Sequence, residues 1–384
     1  MSKKLLLIFA LVVVCAMLLI SCNSPAPPSG GPATSGGGAL KIGALLPMTG
    51  SEAPYGADMF NSYKLAIEEV NAAGGVLGYT FEIFNEDDAC DGAQAASAGA
   101  KIVSANPDFV VGGYCSGGTI PALQLFYDAD KLMLISAANS TKITDLGLQQ
   151  TFMVNSPGNH QIVKFIELLN NLGSKNVAVI HQGDDYTQNL SDLCDEMLPP
   201  AGFSIVATDV MQKGEADISA IVNKILAARA DMVLWCGYFA DGSNVIKQLR
   251  NGGYTGDICC GDGSSDTQLI VGSGPQGDGA YVLSPPYVNF AEGGLDYIEK
   301  YKSMYNGSEP GPYSTLCYDT IMLLVDGIKR ANSIDTEAVA QAIAANNYQG
   351  LSGNLSFAAD HTLLKSNFIV LKINANTGEF ELFM

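Results

Sequence analysis

From residue 40 onward, short apolar runs alternate with stretches whose apolar positions recur every three or four residues. Residues 40–47 (LKIGALLP) form an apolar run ending in turn residues, which predicts a buried strand. A helix is predicted next, with Phe60, Tyr63, Ile67 and Val70 along one face and Gly74-Gly75 closing it. Strand 80–84, helix 94–104, strand 109–111, helix 120–129 and strand 132–135 follow. The cycle then restarts with helix 160–172, strand 177–180, helix 190–198 and strand 203–210. A helix carrying Ile218, Ile221, Val222 and Ile225 leads into strand 232–235. Strands that are apolar without alternation, each followed by a helix, belong in parallel sheets covered on both faces. Two such runs predict an α/β chain with two doubly wound lobes.

The C-terminal third does not repeat the pattern often enough for a third lobe. A long helix is predicted over 313–331, a shorter one over 337–344, and a hairpin of 368–373 with 379–383 around Asn376-Thr377-Gly378. These pieces must complete lobes begun earlier, so the chain crosses between lobes more than once, as in a hinged clamp. The expected division is 40–156 plus 286–357 for lobe 1 and 157–285 plus 358–384 for lobe 2.

Ahead of residue 40 the pattern is different. Lys3 and Lys4 precede an apolar run over 5–20, shorter than the roughly 20 residues a helix needs to cross a bilayer. A cationic start, a short apolar core and the small Ser21 predict a signal peptide over 1–21. Leu19-Ile20-Ser21-Cys22 resembles a bacterial lipobox, which implies acylation of Cys22 as the mature N-terminus. A plain secretory signal with an incidental cysteine is the alternative. Residues 22–39 are almost all Ser, Pro, Gly, Ala, Asn and Thr after the cysteine, a flexible tether spanning about 20–25 Å root-mean-square. The expected location is extracytoplasmic, lipid-anchored to a bacterial membrane, in the periplasm or at the cell surface.

Charge narrows the partners. The whole chain carries a formal −19, and loss of Lys3 and Lys4 with the leader makes the remainder more negative still. A nucleic-acid binder needs the opposite sign. Nine cysteines occur, at 15, 22, 90, 115, 194, 236, 259, 260 and 317. With Cys15 removed and Cys22 acylated, an odd number remains, so at least one thiol is free. None shows the paired spacing of a zinc site.

Several segments together carry a family resemblance. IGALLPMTGSEAPYG (42–56), AIEEVNAAGGVLG (66–78), EDDACDGAQA (86–95), GGYCSGGTIPA (112–122), LISAANSTKITDLG (134–147), ADISAIVNKILAARADMVLWCGY (216–238) and PGPYSTLCYD (310–319) stand in order and at matching intervals. The chain thus resembles, over essentially all of 40–384, the periplasmic leucine/isoleucine/valine-binding family, the type I substrate-binding proteins of ABC transporters. The resemblance implies the type I periplasmic binding protein fold and a multi-crossover hinge. It further implies capture of a small amino acid, branched-chain or similar, between the lobes and delivery to an ABC permease. No cofactor, metal, catalysis or nucleic acid is implied, and a monomer is expected. A receptor of the same fold that senses an amino acid, an amide or urea is the alternative.

A zwitterionic ligand needs donors for its carboxylate, an acceptor for its ammonium and an apolar or aromatic wall. The family places a serine after a cysteine at a strand-to-helix turn to hold the carboxylate; here that is Ser116, which could equally be a helix N-cap. In the loop over 136–144, Ser140 takes the place of the family's threonine and Ala138 offers backbone contacts. The loop is one residue short of the family's, so Thr141 could substitute for Ser140. Asp262 stands where the family has a glutamate for the ammonium, one methylene shorter, with Asp266 as a nearby competitor and loop capping as the plainer role. Tyr55, Tyr186, Tyr238 and Tyr313 match pocket positions. Cys90 and Cys115 occupy the family's disulfide positions.

One enzymatic reading competes. Gly113-Tyr114-Cys115-Ser116-Gly117 imitates a nucleophile elbow with a cysteine nucleophile. A hydrolase of that kind needs a histidine base, and only His160, His181 and His361 exist, none near a partner motif.

Overall fold

The computed structural model describes residues 37–384. The expected signal peptide, the Cys22 lipidation site and the tether up to residue 36 lie outside the described residues. Ala39, the last residue assigned to the tether, already opens the first strand.

The chain begins with β1 (Ala39–Leu46), α1 (Ala53–Ala72), β2 (Thr80–Asp87), α2 (Gly92–Ser104), β3 (Phe109–Gly112), α3 (Ser116–Asp128), β4 (Met133–Ile135), the single-turn α4 (Lys142–Asp145) and β5 (Thr151–Met153). These strands form one parallel sheet in the order β2-β1-β3-β4-β5. Both of its faces are covered, which is why its strands lack a polar face. Ile42, Ala44 and Leu46 join one apolar cluster with Met59 and Tyr63 of α1. Leu45 joins the cluster on the opposite face, with Ile102 of α2 and Phe126 of α3.

The second run comprises α5 (Gly158–Leu172), β6 (Asn176–His181), α6 (Asp185–Met197), β7 (Ser204–Val210), α7 (Ser219–Ala228), β8 (Met232–Cys236), α8 (Phe239–Asn251), β9 (Asp257–Cys260), α9 (Thr267–Ser273) and β10 (Tyr281–Ser284). Next come α10 (Gly294–Met304), α11 (Ser314–Ala331), α12 (Thr336–Ala344), the hairpin β11 (Asn347–Gly350) and β12 (Gly353–Ser356), and finally β13 (Ile369–Asn374) and β14 (Glu379–Leu382). The second sheet runs β14-β13-β10-β9-β8-β6-β7. It is parallel from β7 through β10 and antiparallel at β13 and β14. The C-terminal third is therefore shared: α11 packs on α1 beside the first sheet, whereas β13 and β14 extend the second.

Helix α8 departs from the sequence expectation, which has no helix over 239–251. It opens on Phe-Ala-Asp-Gly-Ser, residues that read as a loop, and its buried large apolar positions are Val245, Ile246 and Leu249. Tertiary burial overrides that weak local signal. Helix α6 starts earlier than its apolar residues indicate, because Asp184 accepts hydrogen bonds from the amides of Tyr186 and Thr187 and caps a polar first turn.

In both sheets the order reverses beside an inner strand, β1 in the first and β6 in the second. Crevices at such switch points, beyond the carboxyl ends of the strands, are where open α/β sheets bind ligands. The two crevices face each other.

Candidate ligand-binding cleft

The loops leaving β1, β3 and β4 and the first turns of α1 and α3 carry Tyr55, Tyr114, Ser116 and residues 136–141 toward the cleft; the first turn of α6 and the segments leaving β8 and β9 carry Tyr186, Tyr238 and Asp262. Tyr313, the residue before α11, arrives from the first-sheet side. The backbone at the end of β3 admits only glycine at one point. Gly112 has φ +123°, and a Cβ there would lie 2.3 Å from the carbonyl oxygen of Leu45.

Asp262 is the organising group. It is 2 % exposed and opens a single 3-10 turn after β9. Oδ1 accepts from the Tyr186 hydroxyl at 2.6 Å and Gln161 Nε2 at 2.8 Å, both on second-sheet elements. Oδ2 points at the other side of the cleft, accepting from Asn139 Nδ2 at 2.8 Å and, at 3.4 Å each, from Asn155 Nδ2 and the Tyr313 hydroxyl. Burial pushes its carboxyl above the usual range, while the bonds from Tyr186, Gln161, Asn139 and Asn155 pull it back down. None of the ion pairs among the described residues involves it. Its carboxylate caps no helix: Asp266 has that task, accepting from the amide of Gln268 at the start of α9.

Ser116 is not an N-cap either. Cys115 holds the capping position of α3 with extended backbone, and Ser116 is the first helical residue, its Oγ accepting from the Ser140 amide at 3.2 Å. A hydroxyl and the first-turn amides of a 13-residue helix thus meet at one spot, a setting that favours an anion. Cys115 is bonded to Cys90 in a disulfide closing a separation of 25 residues, which fixes the backbone beside Ser116 and leaves no thiolate for a nucleophile elbow. Cys194, Cys236, Cys259, Cys260 and Cys317 are free and buried.

The loop after β4 alternates. Ala137 and Asn139 line the cleft cavity, Ala138 turns into the first-sheet core, and Ser140 binds Ser116 rather than bordering the cavity. Thr141 reaches across to α6, its amide donating to Asn189 Oδ1 and its hydroxyl accepting from Asn189 Nδ2. Lys142 pairs with Asp185 at 2.7 Å. With the contact of Asn139 to Asp262, these bonds draw the two sides of the cleft together.

Aromatic rings fill what is left. Tyr114, Tyr186, Tyr238 and Tyr313 line the cavity with Ser116 and Asp262, and its volume is about 10 Å³. Tyr55 stands one ring behind, stacked on Tyr114 with centroids 4.8 Å apart and its buried hydroxyl unpartnered among the described residues. Tyr114, Asn139, Asn155 and Gln161 are absent from the sequence-based set. Gln161 sits on an ordinary amphipathic helix that offers no cue to a cleft role. Tyr114 had one cue, since it lies between the turn glycine Gly113 and the half-cystine Cys115.

The model of the periplasmic binding protein family matches residues 39–379. The chain belongs to that family. This periplasmic binding protein is therefore an extracytoplasmic solute-binding molecule rather than an enzyme. It is 28 % identical over 334 residues to a leucine-, isoleucine-, valine-, threonine- and alanine-binding protein of Pseudomonas aeruginosa, covering 86 % of this chain and 89 % of the other. A Leu/Ile/Val-binding protein homolog of Brucella suis is 29 % identical over 318 residues, covering 82 % and 85 %. Among solved structures, the leucine-binding protein LivK of Thermotoga maritima superposes with a TM-score of 0.83 at 25 % identity, over 90 % of this chain and 98 % of the other. A solute-binding protein of R. palustris in complex with benzoate reaches 0.80 at 16 % identity over 90 % and 95 %, a likeness of fold alone. No helix of the described residues is long and apolar enough to cross a membrane.

Proposed function

We propose that this periplasmic binding protein is a lipoprotein, anchored through Cys22, that captures an amino acid in the cleft and delivers it to an ABC permease. The lobes that close on it are 40–156 with 286–357 and 157–285 with 358–384. The observation carrying the reading is Asp262, a buried carboxylate with no cationic partner among the described residues, aimed across the cleft. An uncompensated buried charge is costly, and a ligand ammonium removes the cost. Oδ1 already receives two good donors and is satisfied, so the ammonium binds at Oδ2, where two of three donors stand at 3.4 Å. The carboxylate goes to the opposite end, at the Ser116 hydroxyl and the first-turn amides of α3. Tyr114, Tyr186, Tyr238 and Tyr313 surround the ligand and Tyr55 backs Tyr114; Ser140 holds Ser116 in place, and Ala138 seats the loop in the core. The named ligands of the Pseudomonas and Thermotoga relatives support the amino-acid assignment.

The test is a calorimetric and thermal-shift screen of the amino acids against protein stripped of ligand by partial unfolding. At least one amino acid should bind one-to-one and raise the melting temperature. A screen in which none produces heat or a shift, while an amide, urea or an aromatic acid does, overturns the assignment.

A further inference from the structure

Four residues bridge the two sides of the cleft without lining its cavity: Thr141 and Lys142 on the first-sheet side, Asp185 and Asn189 on the second. Asp185 and Asn189 stand one turn apart on α6, so they share a face of that helix and meet consecutive residues of the opposite loop. Both supports are fixed. Ile143 is buried in the first-sheet core, and the amide and hydroxyl of Thr144 both donate to the Thr141 carbonyl and hold the turn. On the other side Asp184 caps α6. The Asn189 side chain is buried and held in one orientation. Its Oδ1 accepts from the Thr141 amide at 3.0 Å and its Nδ2 donates to the Thr141 hydroxyl at 2.8 Å, so a flipped amide would set Nδ2 against the Thr141 N–H. Lys142 and Asp185 pair at 2.7 Å with side chains 42 % and 41 % exposed. An ion pair that exposed contributes little and is screened by salt, whereas the two bonds of the buried amide contribute more.

We propose that Asn189 and Asp185 form, with Thr141 and Lys142, a clasp that holds the cleft shut and sets how long a ligand stays in it. The inference rests on the clamp reading above, but not on which ligand the clamp takes. All four are positioning residues. Their bonds exist only while the two sides meet, and they are the same whatever lies between. They therefore select no ligand. They stabilise the closed arrangement against the open one, and a ligand enclosed between the sides leaves only when these bonds break. The Asn189 amide is the main catch, and Lys142–Asp185 is a weaker one whose hold varies with ionic strength.

The experiment compares the wild type with Asn189→Ala, Lys142→Met, Asp185→Asn and the double variant of the last two, each checked for a cooperative thermal transition. One readout is stopped-flow fluorescence of leucine and of alanine binding and release. The single tryptophan, Trp235, reports it, because its indole donates at 3.2 Å to the carbonyl of the cavity residue Tyr238. Asn189→Ala should speed release ~10-fold and leave the association rate within about twofold. Lys142→Met and Asp185→Asn should each speed release ~2- to 5-fold at low salt, with the double variant no faster than either alone. That difference should vanish at about 0.5 M salt. A residue that merely supports the fold would give neither the release-only effect nor the salt dependence. The other readout needs no ligand: double electron–electron resonance between spin labels on Leu146→Cys and Val210→Cys, exposed positions on the two sides, while the free cysteines of the described residues are buried. Asn189→Ala should lower the short-distance population at least ~3-fold. Release rates unmoved by Asn189→Ala overturn the proposal. If the wild type binds no amino acid, the amino-acid assignment falls by itself. The ligand-free distances then decide for the clasp, and a short-distance population unmoved by Asn189→Ala overturns it, so the two failures are distinguishable.

Discussion

Replacing Asp262 by asparagine changes one atom and tests the ammonium site directly. If the new amide nitrogen takes the position of Oδ1, it confronts the Tyr186 hydroxyl and Gln161 Nε2, both of which donate there at 2.6 and 2.8 Å. If it takes the position of Oδ2, it confronts Asn139 Nδ2 and the ligand ammonium. Either orientation sets donor against donor and removes the charge. Removing one partner of a buried ion pair costs about 3–5 kcal/mol. At about 1.4 kcal/mol per tenfold, affinity should fall by roughly two to three and a half orders of magnitude. Calorimetry with the best ligand from the amino-acid screen measures this, beside thermal unfolding of the ligand-free proteins. The ligand-free melting temperature should change little, because the lost hydrogen bonds are offset by removal of an uncompensated buried charge. An affinity within threefold of wild type would refute the reasoning and move the ammonium elsewhere, with Glu52 the next buried carboxylate to examine.

Four further outcomes are expected. Burial raises the Asp262 carboxyl in the ligand-free protein and a bound ammonium lowers it again, so binding releases a proton at mildly acidic pH. Affinity should therefore fall as pH drops through the raised value; calorimetry in buffers of different ionisation heat would show the release, and an affinity that stays constant as pH falls from neutrality to the ordinary carboxylate range would contradict it. The carboxyls of Asp58, Asp88 and Asp319 are each raised by burial to about 6, so the folded state holds more protons than the unfolded chain between about pH 4 and 6. Their contribution to stability is complete below the unfolded value and is lost as pH rises through 6, which a higher melting temperature at pH 5 than at pH 7.5 would register. Reduction of Cys90–Cys115, whose loop closes a separation of 25, should lower stability by about 3–4 kcal/mol in denaturant titrations and weaken binding through Ser116. Finally, Cys22→Ser should release the protein from the membrane fraction of the native host, and continued retention would remove the lipid anchor from the proposal.

The alternation of apolar runs with helical stripes gives the α/β class and the two parallel sheets, because strands buried on both faces lose all polar alternation. Helices α8, α9 and α10 escape; α8 is short of apolar residues and follows Phe239 with Ala240-Asp241-Gly242-Ser243, so its burial comes from neighbours the local pattern does not contain. At the cleft, residues on loops after strands are legible through family positions, as with Ser116 and Asp262. The partners that position them are not. Gln161 reaches Asp262 across 101 residues of sequence and Asn139 across 123, from a helix face and a shortened loop that read as ordinary. The one-residue uncertainty in that loop resolves into an alternation: Ala137 and Asn139 face the cavity, while Ala138 and Ser140 support it.

The lack of a cation beside Asp262 among the described residues also bears on how the proposed clamp would work. With Asn139 and Tyr313 arriving from the first-sheet side, closure brings neutral donors to the carboxylate and excludes water from it, but brings no charge. Neutral donors compensate a buried carboxylate only in part, so the closed arrangement without ligand is held below its full stability. An open form in which Asp262 is hydrated avoids that penalty. A ligand ammonium removes it in the closed form alone, and a ligand shifts a two-state equilibrium only by its differential affinity for the two states. On the proposed reading, the acid makes closure conditional on an amine. The first-turn amides of α3 make the matching demand for a carboxylate from the opposite side. Under the proposed function, a molecule offering only one of the two charges satisfies one lobe and leaves the other uncompensated, so a cleft walled mainly by tyrosines would select the amino-acid head group before any side chain is measured.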